Sequence, residues 1–78
     1  MGLLPSLKSA QVIAALLKAG FRVIRQTGSH VRLQHINDAT RQVTVSKHSA
    51  SLPLWIMRAI LRQAKLSLKE FRKLLDRK

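Results

Sequence analysis

Apolar positions recur along this chain with two periods, and the change from one to the other divides it into helix and strand. Val12, Ile13, Leu16 and Leu17 fall at helical spacing, which predicts a first helix over residues 9–19. Ser9 suits its N-cap and Gly20 its stop, and Gln11, Ala15 and Lys18 are left nearer solvent. From Phe21 the period falls to two. Residues 21–26 read as a strand in which Phe21, Val23 and Arg25 alternate with Arg22, Ile24 and Gln26, so both faces carry apolar side chains. Thr27-Gly28 is a turn signal, and a second strand returns from Ser29 or His30 to about His35. A three-residue connection, 27–29, places Phe21 and Val23 on one face with Val31 and Leu33, whereas a two-residue connection aligns Ile24 with them. The first is preferred. It leaves His30, Arg32 and Gln34 on the open face of the sheet, opposite the face that the helix covers.

Asn37-Asp38 marks a second turn, and residues 41–46 alternate Val43 and Val45 with Gln42 and Thr44 as a third strand. A small-residue loop, 47–51, leads to Pro53 and a second helix reaching about Ala64. Its apolar side is read as Trp55, Ile56, Ala59, Ile60 and Leu61, its polar side as Arg58, Arg62 and Lys65. Ser67-Leu68-Lys69-Glu70 is a capping box that opens a short third helix carrying Phe71, Leu74 and Leu75. Residues 1–7, with Pro5, read as a loose arm. The expected architecture is a single α+β domain over residues 1–78, in the order α-β-β-β-α with a short C-terminal helix. Its three-stranded antiparallel sheet carries the helices on one face.

Charge adds the next constraint. Fifteen Lys and Arg stand against Asp38, Glu70 and Asp76, a formal net charge of +12 in 78 residues. Self-repulsion on that scale points to a polyanionic or acidic partner, with nucleic acid first. The basic residues are spread from Lys8 to Lys78 among core-type positions, which argues against a membrane surface. A chain of this size buries only about 60–65% of its unfolded surface, so its core is modest. With no cysteine, disulfides and thiolate metal sites are excluded. No apolar run approaches the roughly 18 residues that span a bilayer, and the signal-peptide pattern is missing, so the expected location is the cytoplasm. Met1-Gly2-Leu3-Leu4-Pro5-Ser6 fits the myristoylation pattern, one short enough to match by chance.

One hexapeptide, Arg25-Gln26-Thr27-Gly28-Ser29-His30, sets a turn, a permissive glycine and an imidazole side by side. It follows a helix and Gly20-Phe21, and it precedes Val43-Thr44-Val45 with His48 close behind, then Ile60-Leu61-Arg62-Gln63-Ala64 and Ser67-Leu68-Lys69-Glu70-Phe71. In this order and spacing, over residues 8–75, the chain resembles the HicA toxins of bacterial type II toxin–antitoxin modules. The resemblance implies a fold similar to double-stranded-RNA-binding domains and a ribosome-independent, metal-free mRNA endoribonuclease silenced by a HicB antitoxin. The family's catalytic histidine maps onto His30. Operator DNA would be reached through the antitoxin and not directly. The chain departs from the family at Trp55 and Ile56, where glycine and threonine are usual, at Lys65, where glycine is common, and at Ser46, often proline.

RNA carries its own nucleophile, the 2′-hydroxyl, so cleavage requires a proton acceptor, a donor for the leaving oxygen and positive charge around the phosphorane. Histidine suits either proton role because its reference pKa, about 6.5, lies near working pH. His30 is therefore the candidate general acid or base, although a lone strand histidine is commonly structural. Gly28 permits close backbone approach to a phosphate, or simply makes the hairpin turn. Ser29 either donates to a phosphate oxygen or caps the strand. Arg25, Arg32 and Lys47 are the nearest cations and are candidates for positioning RNA, with solvated strand residues as the plain alternative. His48 would pair with His30 or be passive, and His35 is expected to end a strand without function. The three histidines and three acids show no metal-ligand spacing, so no cofactor is expected. Trp55 would stack a base, or belong to the core or a protein interface. Two other functions remain open: a non-catalytic basic RNA-binding module, and a protein whose chief role is to pair with an acidic antitoxin.

Overall fold

The helical spacing at the start of the chain is realised as α1 (Ser9–Lys18) in the computed structural model, which describes residues 7–47 and 51–76. Lys8, not Ser9, is the N-cap; its N–H donates to Gln11 Oε1 at 2.9 Å, while Ser9 lies buried in the first turn. The buried stripe is Ser9, Val12, Ala15 and Leu16, rotated from the expected one, and Leu17 is 40% exposed. The cause is a second neighbour. Besides the sheet, α1 packs on the last helix, whose Leu74 and Leu75 line a groove with Ala15, so a small residue expected near solvent is covered. Leu7, expected in the loose arm, is also buried, and its carbonyl accepts from the Leu52 N–H at 2.8 Å.

The sheet consists of β1 (Phe21–Thr27), β2 (His30–His35) and β3 (Asp38–Ser46), antiparallel and in that order. Gly20, with φ of 102°, makes the break from α1. Thr27 pairs with His30, so the β1–β2 connection has two residues, Gly28 and Ser29, and not the three expected. Gly28 alone has positive φ, 58°, the sign pattern of a type II′ hairpin. A two-residue turn by itself would oppose Ile24 to Leu33. A β-bulge at Ile24 instead inserts one residue between Val23 and Arg25, so Val23 pairs with Leu33 and the expected facing of Phe21 and Val23 with Val31 and Leu33 is obtained. β3 begins earlier than expected because the Asp38 carboxylate accepts from the Thr40 N–H and hydroxyl at 3.0 and 2.6 Å, building the turn after His35.

α2 (Leu54–Ala64) and α3 (Leu68–Asp76) complete the order α-β-β-β-α-α, an α+β fold of the double-stranded-RNA-binding-domain type. Pro53 precedes α2 in extended conformation, and the Ile56 and Met57 N–H groups donate to its carbonyl. The buried face of α2 is Met57, Ile60, Leu61 and Ala64. Trp55, expected on the apolar side, stands about 200° round the helix from Met57 and is 72% exposed. The helices and the inner sheet face enclose one cluster in which Phe21, Phe71, Leu16, Leu33, Val12, Val43 and Val45 are fully buried. Truncating a buried Phe to Ala costs about 3–5 kcal/mol, against a total stability of about 4–12 kcal/mol for 78 residues, so either ring is a large share of the whole.

The end of α2 holds the sole non-glycine positive φ among the described residues, at Lys65 (58°). The Leu66 N–H closes on the Leu61 carbonyl in the manner of a glycine-terminated helix. Lys65 Nζ donates to Thr40 Oγ1 at 3.0 Å, a contact between exposed groups that offsets little of the left-handed cost. Lys65→Gly is expected to raise stability by about 0.5–1 kcal/mol in urea unfolding. The capping box of α3 forms as expected: the Ser67 N–H donates to Glu70 Oε1 at 2.9 Å and the Glu70 N–H to Ser67 Oγ at 3.0 Å. The Ser67 backbone bond chiefly, then its hydroxyl, hold the Glu70 carboxyl below its ordinary 4.5. A lowered acid pKa stabilises the fold above its unfolded value and stops doing so as pH falls through the folded one. The stability advantage of wild type over Glu70→Gln should therefore be full above about pH 5 and shrink steadily below it, as read by unfolding at a series of pH values.

Candidate active site

β2 is the central strand, and its alternation decides what the open face carries. Val31 and Leu33 are buried towards the helices, which turns His30, Arg32 and Gln34 the other way. Cross-strand pairing then arranges the open face in rows. Thr27, His30 and Ser46 form the row at the Gly28-Ser29 end, Arg25, Arg32 and Thr44 the next, and Arg22, Gln34 and Gln42 the third, where Gln42 Nε2 donates to Gln34 Oε1 at 3.0 Å. Arg25, Thr27, His30, Arg32 and Thr44 line one concavity of about 190 Å³.

His30 is exposed, and its imidazole has no hydrogen-bond partner among the described residues. Among the described residues neither ring nitrogen is occupied. Arg25 and Arg32 pair directly across β1 and β2, bringing two guanidinium groups to the row beside it. Among the described residues no carboxylate neutralises them; Asp38 is turned to Thr40 at the far end of the sheet, and Glu70 caps α3. The Thr40 hydroxyl first, then its N–H, hold the Asp38 carboxyl below its usual range, which keeps it engaged there as an anion. Like-charged guanidinium groups face to face repel, and a phosphate between them converts repulsion into two charge-assisted hydrogen bonds.

Gly28 and Ser29 form the turn next to His30. A Cβ on Gly28 would meet nothing within 4 Å, so the glycine answers to its positive φ and leaves the turn backbone accessible. The Lys47 N–H donates to the Ser29 carbonyl at 2.7 Å, which brings Lys47 to the same end of the sheet. Of the residues singled out in the sequence, Arg25, His30 and Arg32 share the open face and one concavity, Gly28, Ser29 and Lys47 lie at the same end of the sheet but do not line that concavity, and His48 lies outside the described residues. The sequence reading missed Thr27 and Thr44. Thr44 was placed on the right face by the alternation of Val43 and Val45, but its position beside Arg32 needs the β2–β3 register, which no local signal carries. A larger concavity, about 440 Å³, runs along α3 beside Leu68, Lys69, Arg72 and Lys73 and contains no histidine among the described residues. No group of three His, Cys, Asp or Glu among the described residues is arranged to hold a metal ion.

His35, at the other end of β2, differs in every respect. It shares the helix-side face with Phe21, against which it packs edge-on with ring centroids 5.1 Å apart. The Asn37 N–H donates to its Nδ1 at 3.1 Å, so Nε2 bears the proton and donates to the Ala19 carbonyl at 3.1 Å. It ties the end of α1 to the β2–β3 turn.

A basic α-β-β-β-α domain whose open sheet face carries an exposed histidine beside a directly paired couple of arginines defines the class of protein. Residues 9–66 match the family described as the HicA toxin of bacterial toxin-antitoxin systems, and the chain belongs to that family. It is thus the toxin of a toxin–antitoxin pair, with a cognate antitoxin. No curated protein matches it. None of the helices among the described residues is long and apolar enough to cross a membrane.

The two histidines separate by substitution. His30→Ala is expected to leave unfolding free energy within about 0.5 kcal/mol of wild type, and His35→Ala to lower it by about 1–3 kcal/mol through its lost ring packing and hydrogen bonds, both measured by urea denaturation.

Proposed function

We propose that this toxin is a metal-independent endoribonuclease that cuts mRNA without the ribosome, acting as one domain in the cytoplasm, with His30 as its catalytic residue. The observation that carries the reading is the exposed imidazole of His30, without a hydrogen-bond partner among the described residues, beside the Arg25–Arg32 pair in a chain of the HicA toxin family. In the proposed reaction the 2′-oxygen of the RNA attacks the adjacent phosphorus, a 2′-O–P bond forms and the P–O5′ bond breaks, leaving a 2′,3′-cyclic phosphate and a free 5′-hydroxyl. The 2′-hydroxyl gives up one proton and the leaving 5′-oxygen gains one. His30 performs one of these transfers, for which its exposed imidazole fits it. Arg25 and Arg32 hold the phosphate and stabilise the extra negative charge of the phosphorane. Gly28, Ser29 and Lys47 form the edge of the RNA site.

A HicB-type antitoxin, on this reading, is acidic where it meets the toxin and silences it by covering the His30 face. A basic module that binds RNA without cutting it would use the same cations, and turnover is what separates the two. Labelled single-stranded RNA incubated with the chain in excess chelator should be cleaved to cyclic-phosphate ends. His30→Ala should slow cleavage by about 10²–10⁴-fold while retaining RNA affinity. Binding without any cleavage by the wild-type chain would overturn the enzymatic reading, and cleavage undiminished by saturating antitoxin would overturn the mode of silencing.

A further inference from the structure

The third row of the open face is chemically unlike the two before it. Gln34 and Gln42 pair across β2 and β3, and both are neutral carboxamides, half-buried, beside rows that carry His30 and the Arg25–Arg32 pair. Arg22 shares their row by register, but its Nη1 donates to the Phe21 carbonyl at 2.7 Å and to the Leu17 carbonyl at 3.2 Å, which draws the guanidinium to the end of α1. What the row offers a ligand is amide groups.

Those groups are held in one orientation. Gln42 Nε2 donates to the Ala39 carbonyl at 3.1 Å and to Gln34 Oε1 at 3.0 Å. A backbone carbonyl only accepts, so the Gln42 atom facing Ala39 is the nitrogen; the same nitrogen faces Gln34, whose near atom is then the oxygen. Both N–H groups of Gln42 are used in this way. The Gln34 Nε2 and the Gln42 Oε1 have no partner among the described residues, and Gln34 Oε1 keeps a lone pair. Gln34 accordingly presents a donor and an acceptor side by side, from a side chain fixed by its neighbour.

That edge matches a nucleobase. Glutamine pairs with adenine by taking N6–H at its oxygen and donating to N7, whereas guanine, with two acceptors side by side, suits arginine. Position agrees. Arg32 and Gln34 are two residues apart on β2, about 7 Å, close to one nucleotide step of an extended strand. A phosphate in the concavity of Arg25, His30 and Arg32 therefore leaves an adjoining base at Gln34. A carboxylate from an acidic protein would use only the Gln34 donor and would set its negative charge against the neighbouring amide oxygens.

We propose that the Gln34–Gln42 pair reads the base of a nucleotide flanking the scissile phosphate and favours adenine there. The proposal rests on the reading of the open face as the RNA site. Gln34 decides which base lies there, Gln42 holds Gln34 in place, and neither takes part in proton transfer.

The full chain should be titrated with labelled single-stranded 2′-O-methyl RNA, which lacks the attacking hydroxyl and survives intact, and binding followed by anisotropy. Three probes are compared: a uridine run, the same run with central adenosines, and the same with central purine nucleosides that lack the 6-amino group. Wild type should bind the adenine probe about 5-fold or more tighter than the purine probe. Gln34→Met should bring that ratio to within about 2-fold while binding the uridine probe as wild type does, which also shows that the variant folds, and with the salt dependence unchanged. Equal binding of the adenine and purine probes by wild type, a comparison that needs no variant, would overturn the proposal. So would a Gln34→Met chain that keeps the adenine preference, or one that loses only affinity for the antitoxin, which would assign Gln34 to a protein contact. Cleavable RNA with the same central bases separates the two readings. His30-dependent cleavage without a Gln34-dependent adenine preference sinks the base reading alone, and an adenine preference in binding without turnover sinks the ribonuclease alone.

Discussion

The burial of Val31 and Leu33 is the constraint on which the rest of the molecule depends. They occupy the central strand, so both neighbours must register on them, and a slip of one residue would turn His30 and Arg32 into the core. Burying even one unpaired guanidinium costs several kcal/mol, comparable with the stability of a domain this small. The inner face is thus held by the hydrophobic effect and the outer by the cost of the alternative. This gives the His30 concavity a fixed floor although none of its side chains is itself buried.

The bulge at Ile24 is how β1 meets that constraint. The type II′ turn at Gly28-Ser29 keeps His30 at the first position of β2, next to an accessible turn backbone, but an unbulged strand would then bring Ile24 and not Val23 over Leu33. One extra residue lets both ends be right: Arg25 and Thr27 face the open side with His30, and Phe21 reaches the core. The cost falls at the edge. Val23 and Ile24 are 47% and 51% exposed on a strand with one unpaired side.

How much of this could be read in the sequence depends on whether a feature is local. The type of each element, the capping box of Ser67 and Glu70, and the outward facing of His30, Arg32 and Gln34 follow from period and cap chemistry within a few residues, and they are legible. The length of the β1–β2 turn was not: a two-residue turn plus a bulge and a three-residue turn both bring Phe21 and Val23 to the face of Val31 and Leu33, and they differ at Arg25, which the bulge moves from that face to the open one beside Arg32. Ala15, Leu17 and Leu7 were misjudged because their burial is decided by other elements: α3 lies over Ala15, and Leu52 binds the Leu7 backbone. Trp55 was misjudged by its hydrophobicity alone. Its helical phase relative to Met57 and Ala64, nearly opposite the buried face, places it outside. The candidate site was legible as a list of residues, whereas Thr27 and Thr44 depended on register.

The two histidines of β2 show why the exposed one is the chemical candidate. His35 has an N–H donor at one nitrogen and a carbonyl acceptor at the other, so proton transfer would have to break bonds that join α1 to the sheet. His30 has no such ties among the described residues, and its nearest cross-strand neighbours on β1 and β3 are hydroxyls and guanidinium groups. Asp38 and Glu70 are occupied in local turns and caps, so among the described residues no carboxylate offsets the positive charge near that face. On the proposed reading, RNA and an acidic antitoxin answer the same uncompensated charge on the same face, and mutual exclusion of the two then requires no conformational switch.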